Sequence, residues 1–214
     1  MRAGFTHVTL GTLLLTGWLM TPTHNHARAE EDPPIEPGFV RLFNGKDLTG
    51  WRVRQTKEDL AGKTTTADGR FAVRDGAIVA TGAAKIVDLD TIATFPRVFV
   101  LRLDFRASDR ANSGLYIRGK QLQVRDYATI GPYTKLEHFK KGDWNAIEVI
   151  VRHEGGKRTV ARCTCNGELL EAALEVPGNG PIGLQSETNQ LEYRNIRLRE
   201  IPDEKIPDAG AASR

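Results

Sequence analysis

Apolar and polar residues alternate with a period of two through most of the chain. The clearest case is residues 98–106, in which Phe99, Leu101, Leu103 and Phe105 face one way and Arg102, Asp104 and Arg106 face the other. Because successive side chains of a strand point to opposite faces, this segment is predicted to be the longest strand. Other strands are predicted at residues 39–43, 145–152, 158–165, 168–170, 181–185 and 191–201. Gly, Pro, Asn and Asp separate these segments and helical periodicity is nearly absent, which favours an all-β sandwich.

Two segments depart from the simple alternation. In the last strand, Leu191 and Tyr193 follow one phase while Ile196 and Leu198 follow the other. One extra residue near Arg194 and Asn195 explains the slip, so a β-bulge is predicted there. Residues 52–70 are polar and read as a long loop with one helical turn near residues 58–61. Long loops in compact domains often carry function.

Residues 111–126 read as two short strands joined by a tight turn. A two-residue loop at Gly119 and Lys120 suits a type II′ turn and pairs Arg118 with Gln121. One face of this hairpin is then apolar, with Leu115, Ile117, Leu122 and Val124. The other carries Tyr116, Arg118, Gln121, Gln123 and Arg125. Such planar hydrogen-bonding groups suit a polyhydroxylated ligand such as a sugar, although a solvated outer sheet face has the same pattern.

The N-terminal residues 1–29 have the pattern of a secretory signal peptide. Arg2 precedes an apolar run over residues 8–20, and Ala27-Arg28-Ala29 offers a cleavage site. The run is short for a membrane span, although an uncleaved anchor is the alternative. Export to the periplasm or the exterior is therefore expected, with no membrane insertion after cleavage. We predict a linker at residues 30–37, one domain at 38–201 and a disordered tail at 202–214.

Charge and cysteine content narrow the function classes. Removing Arg2 and Arg28 lowers the formal net charge from +3 to +1, which argues against a charge-driven nucleic-acid or anionic-membrane partner. The two cysteines, Cys163 and Cys165, stand two apart in a predicted strand, where their side chains splay. A metal site would need a second pair. Both are therefore predicted to be free, small residues of the interior.

Several motifs together resemble a known family. Residues 43–51 (FNGKDLTGW) resemble the opening signature of a bacterial secreted family associated with 3-keto-disaccharide hydrolase, 3-keto-glucoside 1,2-lyase and 3-keto-2-hydroxy-glucal hydratase activity. Further blocks follow in the family's order at 75–79 (DGAIV), 111–118 (ANSGLYIR), 142–145 (GDWN), 180–185 (GPIGLQ) and 193–198 (YRNIRL). The resemblance covers residues 38–201 and implies a concanavalin A-like jelly roll of two antiparallel sheets, one of them facing a sugar.

Two departures from the family pattern concern the chemistry. The family usually has an acid in an E-x-Q-I-x-D strand, and here Gln121 takes its place while Gln123 and Asp126 are retained. A glutamine cannot exchange a proton near neutral pH, so a general-base role at this position would be lost. The family also often has a histidine after the GLQ block, and none follows Gln185 here.

The reaction that the resemblance implies begins at a ketone on C3 of a glucosyl unit. The ketone acidifies the C2 proton, a base removes it, and the C1 glycosidic oxygen leaves. The site needs a base, an acid and a clamp for the enolate oxygen. Arg118 is the predicted clamp because its guanidinium is a permanent cation. Asp126 or His138 is the predicted proton carrier, with Glu137 as an alternative. The predicted sugar-binding residues are Asn112, Tyr116, Gln121, Gln123 and Glu137.

Two other functions stay open at this point. The same polar face would suit a non-catalytic carbohydrate-binding module, and a structural or interaction domain of the cell envelope is a third possibility. No cofactor is predicted. A divalent ion could assist an enolate, yet the only local set of ligands is Asp126, Glu137 and His138, and no metal site is predicted from it. The sequence does not indicate an oligomeric state.

Overall fold

The computed structural model describes Met1 and residues 34–83, 85–131, 133–155 and 158–202. The predicted signal peptide, most of the predicted linker and residues 203–214 lie outside the described residues. Within the described part, the regular secondary structure is entirely β. No helix capable of crossing a membrane is found in these residues.

Thirteen strands form two antiparallel sheets in the described part of the chain. They are β1 (Val40–Arg41), β2 (Trp51–Val53), β3 (Phe71–Arg74), β4 (Ala77–Ala80), β5 (Val87–Thr91), β6 (Phe99–Ala107), β7 (Asn112–Ile117), β8 (Lys120–Arg125), β9 (Asn145–Glu154), β10 (Arg158–Cys165), β11 (Glu168–Glu175), β12 (Ile182–Ser186) and β13 (Leu191–Glu200). One sheet has the order β11-β10-β9-β6-β13-β4-β3, with β1 beside β13. The other has the order β2-β5-β12-β7-β8.

The apolar residues of the two sheets form one buried core between them. In β6, Phe99, Leu101, Leu103 and Phe105 are buried and the charged residues Arg102, Asp104 and Arg106 are partly exposed, while Val100 near the start of the strand is buried as well. Burying these side chains contributes about 1.5–3 kcal/mol for each large aliphatic or aromatic residue. Trp51 is also fully buried and donates its indole N–H to the carbonyl of Leu42 at 2.8 Å. The predicted all-β jelly-roll sandwich is therefore confirmed.

Most of the predicted local features are confirmed, with some changes of extent. The register of β13 against β6 shifts between Arg194 and Arg197, and Asn195 has a φ of 54°, so the predicted bulge is present. Cys163 and Cys165 are free and buried, and burial raises the pKa of both thiols to about 12. The helical turn predicted at residues 58–61 was wrong, because that loop contains turns and a bridge between Arg52 and Asp59. The longest strands are β9 and β13, with 10 residues each.

The β7–β8 hairpin turns one residue earlier than predicted. Ile117 pairs with Lys120 and Tyr116 with Gln121, so the two-residue loop is Arg118 and Gly119. Both have positive φ, 54° and 88°, as a type I′ turn requires. The pairing of Arg118 with Gln121 was therefore wrong. Moving the turn by one residue leaves the alternation of the two strands unchanged, so the polar and apolar faces of the hairpin remain as predicted apart from Arg118.

Candidate functional site

The outer face of the five-stranded sheet carries a group of polar side chains that are joined by hydrogen bonds and ion pairs. Antiparallel register places Asp90 of β5 opposite Gly183 of β12, and Gly183 opposite Tyr116 of β7. The next row along contains Asp88 opposite Gln185. Asp88, Asp90 and Gln185 are only 6%, 4% and 4% exposed although they lie on the outside of the sandwich. An ordinary solvated sheet face would expose such groups, so other side chains must cover them.

Arg54, directly after β2, is one of the covering side chains. Its Nε and Nη2 donate to the two oxygens of Asp90 at 2.9 and 2.7 Å, and Nη1 donates to Asp88 Oδ2 at 2.8 Å. Its Cζ lies 4.1 Å from the ring centroid of Tyr116. Since a guanidinium has five N–H groups, this pairing leaves two for a ligand.

Gly183 allows Arg54 to cross the sheet. A Cβ at this position would lie 2.5 Å from Asp90 Oδ1 and 2.9 Å from Arg54 Nη2. The absence of a side chain on the central strand therefore determines where the guanidinium can lie.

Asp88 is a nearly buried carboxyl group beside this arginine. Its Oδ2 accepts hydrogen bonds from Arg54 and from Gln55 Nε2, the latter at 3.2 Å. Its Oδ1 is buried and has no hydrogen-bond partner within the described residues. Burial raises the pKa of Asp88, and this effect outweighs the opposing effects of Arg54, Gln55 and the Tyr116 hydroxyl. A carboxylate with a raised pKa is a stronger proton acceptor than an ordinary aspartate.

A chain of hydrogen bonds connects Tyr116 to the far strand of the sheet. Gln121 Nε2 donates to Gln185 Oε1 at 2.9 Å, and Gln185 Nε2 donates to the Tyr116 hydroxyl oxygen at 2.8 Å. Gln121 reaches β12 by crossing β7 above Gly114, where a Cβ would lie 2.8 Å from its Cγ. Burial and the charge of Asp88 raise the pKa of the Tyr116 hydroxyl. The Tyr116 hydroxyl thus accepts a hydrogen bond from an amide and lies near enough to Asp88 for the carboxylate charge to affect its pKa.

The same face continues to the other end of β7 and β8. Asn112 Nδ2 donates to Glu187 Oε1 at 2.8 Å, and Arg125, opposite Asn112, donates to Gln123 Oε1. Gly131, in the connection from β8 to β9, lies close against Arg125. The polar face is therefore bordered by the loop after β2 at one end and by the β8–β9 connection at the other.

Arg118, the predicted oxyanion clamp, does not belong to this face. It occupies the hairpin turn, where it is 2% exposed and donates to the carbonyls of Arg97 and Pro177. Its Cζ lies 5.2 Å from the ring centroid of Phe99 in the other sheet. Its predicted place beside Tyr116 was wrong, because a residue in the turn leaves the strand alternation.

The three predicted proton carriers also lie in other surroundings. Asp126 is buried after β8 and accepts hydrogen bonds from the backbone N–H of Arg110 and the hydroxyl of Thr129. The backbone N–H groups of Glu137 and His138 each donate to the carboxylate of Glu168 on β11, at 2.7 Å. The structure therefore groups Tyr116 and Gln121, with Asn112 and Gln123 farther along, and leaves Arg118, Asp126, Glu137 and His138 in separate contacts.

Most of the chain matches one protein family. Residues 38–199 match the family described as a 3-keto-alpha-glucoside-1,2-lyase-like domain. The chain belongs to this family. No curated protein matches the chain.

Two solved structures share the fold of this chain. One, from Parabacteroides distasonis ATCC 8503 and provisionally designated a glycosyl hydrolase, aligns with a TM-score of 0.56 at 18% identity, covering 77% of this chain and 94% of its own. A second structure with the same designation and source has a TM-score of 0.56 and 19% identity, with 76% and 99% coverage. These similarities establish a shared fold.

The sequence reasoning missed four residues of this lyase-like domain's polar face: Arg54, Asp88, Asp90 and Gln185. A signal was available for two of them, because Asp88 and Asp90 alternate with apolar residues in VDLDT. That segment was not recognised as a strand. Arg54 lies in a loop and carries no periodic signal. Within the described part of the lyase-like domain, no group of three or more His, Cys, Asp or Glu residues is placed to hold a metal ion.

Proposed function

We propose that this protein cleaves 3-keto-glucosides on the outer face of the five-stranded sheet, by removing the C2 proton and eliminating the substituent at C1. Family membership supports the substrate class. The observation that carries the proposal is that one guanidinium, that of Arg54, contacts both the nearly buried Asp88 carboxylate and the Tyr116 ring. These three groups supply a proton acceptor, a fixed cation and a hydroxyl on one surface.

In the first step the C2 proton moves to the protein. The Tyr116 oxygen takes this proton while its own hydroxyl proton passes to the Asp88 carboxylate, so the phenol ends unchanged and Asp88 ends protonated. The electron pair of the C2–H bond enters the enolate formed from C2, C3 and the ketone oxygen. The raised pKa of Asp88 favours this step, because a more basic carboxylate is the stronger proton acceptor.

Arg54 is the proposed partner of the enolate oxygen. Its contacts with Asp88 and Asp90 hold the guanidinium in one orientation before substrate arrives. A cation that is already oriented stabilises developing negative charge without reorganisation during the reaction. This assigns to Arg54 the role that the sequence had suggested for Arg118.

The second step breaks the glycosidic bond. The enolate oxygen returns its electron pair to re-form the C3 ketone, a C1–C2 double bond forms, and the C1–O bond breaks. The leaving oxygen takes a proton that returns from Asp88 through Tyr116. Addition of water across the double bond, with hydroxyl on C1 and hydrogen on C2, gives the 3-keto sugar and completes a net hydrolysis.

The test is to incubate the purified protein in deuterated water with 3-keto-trehalose or 3-keto-lactose and with the unoxidised disaccharides. We expect glucose release and C2 deuterium exchange only with the keto sugars, followed by NMR. Asp88→Asn and Tyr116→Phe should each lower the exchange rate by about 10²-fold or more, as removal of a general acid–base group does. Asp143→Asn is the matched control, because Asp143 is exposed and its Oδ1 contact with the Trp144 N–H survives the change. Exchange that persists in both site variants would contradict the mechanism.

A non-catalytic carbohydrate-binding module is the second candidate. Gln121 favours it, since an amide replaces the acid of the family pattern at the edge of this face. Binding of glycans with no exchange or cleavage of any keto sugar would support this function and overturn the enzymatic one.

A further inference from the structure

Arg52 is a second arginine at the edge of the polar face. It lies in β2 between the buried residues Trp51 and Val53, so strand alternation directs its side chain to the outer side of the sheet. The register places it opposite Asp90, in the row of outward residues that ends at Tyr116 on β7. Arg52 therefore belongs to the same surface as the proposed catalytic groups.

The two carboxylates beside Arg52 are bound by other groups. Both oxygens of Asp90 accept hydrogen bonds from Arg54, at 2.9 and 2.7 Å. Asp59, which pairs with Arg52 across an isolated bridge, is exposed, and its Oδ1 accepts the backbone N–H of Ala61 at 3.0 Å. The Arg52 side chain forms no hydrogen bond or ion pair within the described residues, and its Nε is buried. The positive charge of Arg52 therefore has no counter-ion in this part of the chain.

Arginines on the outer face of the other sheet are paired with carboxylates. Arg102 lies 2.8 Å from Glu148, and Arg106 lies 2.6 Å from Glu192. A guanidinium binds a carboxylate through two parallel hydrogen bonds, and a buried N–H group without any partner destabilises the folded protein. An unpaired arginine at a ligand-binding surface is thus suited to a ligand that brings the missing anion.

We infer that Arg52 binds a carboxylate of the substrate and so gives the enzyme a preference for acidic 3-keto-glucosides. This inference rests on the proposed function, in which Arg54 holds the oxygen on C3. The two arginines are two residues apart on one face, which corresponds to about 7 Å along the strand. The carboxylate on Arg52 therefore belongs to another part of the substrate, either C6 of the keto sugar or the sugar that leaves from C1. The charge of Asp59 opposes an anion only weakly, because this residue is exposed and water and salt screen it.

The test measures C2 deuterium exchange on two matched pairs of substrates. Methyl 3-keto-glucuronide is compared with methyl 3-keto-glucoside, and 3-keto-glucosyl-glucuronic acid with 3-keto-glucosyl-glucose. We expect kcat/KM of the wild-type protein to be about tenfold higher or more for the acidic member of one pair, and that pair identifies where the carboxylate lies. In Arg52→Gln the ratio of acidic to neutral kcat/KM should fall by about the same factor, because the amide keeps polarity and loses the charge.

Two further variants show whether the effect belongs to Arg52. Arg74→Gln removes the same charge from the exposed end of β3 and should keep the wild-type ratio. Arg125→Gln removes a cation from the far end of the polar face, and it should keep the preference as well. A preference that is lost in Arg125→Gln and retained in Arg52→Gln would overturn the inference, as would equal kcat/KM of the wild-type protein for the acidic and neutral members of both pairs.

Failure of the proposed function would be recognised separately, as absence of exchange in the wild-type protein with every keto sugar. The inference is then tested by binding alone, with the unoxidised forms of the same four sugars titrated into the wild-type protein and Arg52→Gln and followed by NMR. We expect the wild-type protein to bind one acidic sugar more tightly than its neutral counterpart, and Arg52→Gln to bind the two alike. Equal affinities in the wild-type protein, or an unchanged difference in Arg52→Gln, would overturn the inference.

Discussion

Arg54 connects three functional groups of the polar face, those of Asp88, Asp90 and Tyr116. One guanidinium contacts two carboxylates and the face of one aromatic ring. This requires a planar fork with donors in fixed directions, which a lysine ammonium lacks even though its charge is the same. Charge alone is therefore insufficient at this position.

Arg54→Lys should accordingly lower kcat/KM for C2 exchange by about 10²-fold, the usual effect of losing one preorganised donor to a developing oxyanion. Arg74→Lys on the exposed end of β3 is the matched control and should leave the rate unchanged. The rates are compared by NMR under identical conditions. An Arg54→Lys variant with full activity would contradict the assigned role of the fork.

Arg118, in contrast to Arg54, is a buried arginine whose hydrogen bonds hold the fold together. It donates to two carbonyls at the end of the sandwich. Arg118→Ala should lower the free energy of unfolding by about 1–3 kcal/mol, because the carbonyls lose their partner. C2 exchange should persist below the melting temperature. Denaturant titration and the exchange assay measure the two effects, and the reverse result, normal stability with no exchange, would restore the clamp role suggested by the sequence.

At the scale of elements, β12 is the strand that organises the polar face. It is the central strand of the five-stranded sheet, and its outward residues are Gly183 and Gln185. The first leaves room for Arg54 to cross, and the second receives Gln121 from the opposite side. The arrangement of long side chains thus depends on one small and one amide residue in the middle strand.

Gly183→Ala should therefore reduce activity more than stability. The added methyl group would meet Asp90 and Arg54, and the guanidinium would have to move. We expect kcat/KM to fall at least tenfold with a small change in melting temperature. Gly178→Ala is the matched control, because a Cβ there meets nothing within 4 Å. Equal activity of the two variants would contradict the crossing as a requirement.

The two strands of the β7–β8 hairpin could be predicted from the sequence, but the two residues that form its turn could not. The alternation in β7 and β8 identifies the same two faces for both candidate turns, because a shift of the turn by one residue leaves each strand residue on the same side of the sheet. The loop position depends on which residue can take a positive φ. Arg118 takes it although it is not glycine, with its side chain anchored by two carbonyls from distant segments. Those partners are invisible to local sequence reasoning.

At the scale of the whole molecule, one carboxylate joins the start of the domain to the eight-stranded sheet. Glu36, before β1, accepts hydrogen bonds from Arg197 at 2.6 and 2.7 Å and from Arg102 at 3.3 Å. The Arg197 contacts are the largest influence and lower the pKa of Glu36 from its ordinary value of 4.5 to about 2. A lowered carboxyl pKa contributes stability above the unfolded-state pKa, and this contribution is lost as the pH falls toward the folded-state value.

The melting temperature of the wild-type protein should therefore fall between about pH 4.5 and pH 2 in part through Glu36. Glu36→Gln should be less stable than wild type at pH 6, and the difference should shrink toward pH 2. Thermal unfolding followed by circular dichroism across this range measures it. A difference that is constant with pH would contradict the ionic origin of the contact.

Export and removal of residues 1–29 remain predictions.

The sequence by itself determined the fold class, the two faces of each long strand and the family, because strand alternation and turn residues are local properties of the chain. The tertiary structure alone decided which outward residues meet. Arg54 and Asp88 are 34 positions apart, and Tyr116 and Gln185 are 69 apart. The strand order β2-β5-β12-β7 brings them together through the packing of the whole sandwich. Asp88 acquires its raised pKa only there, since burial, its main cause, exists only in the folded protein.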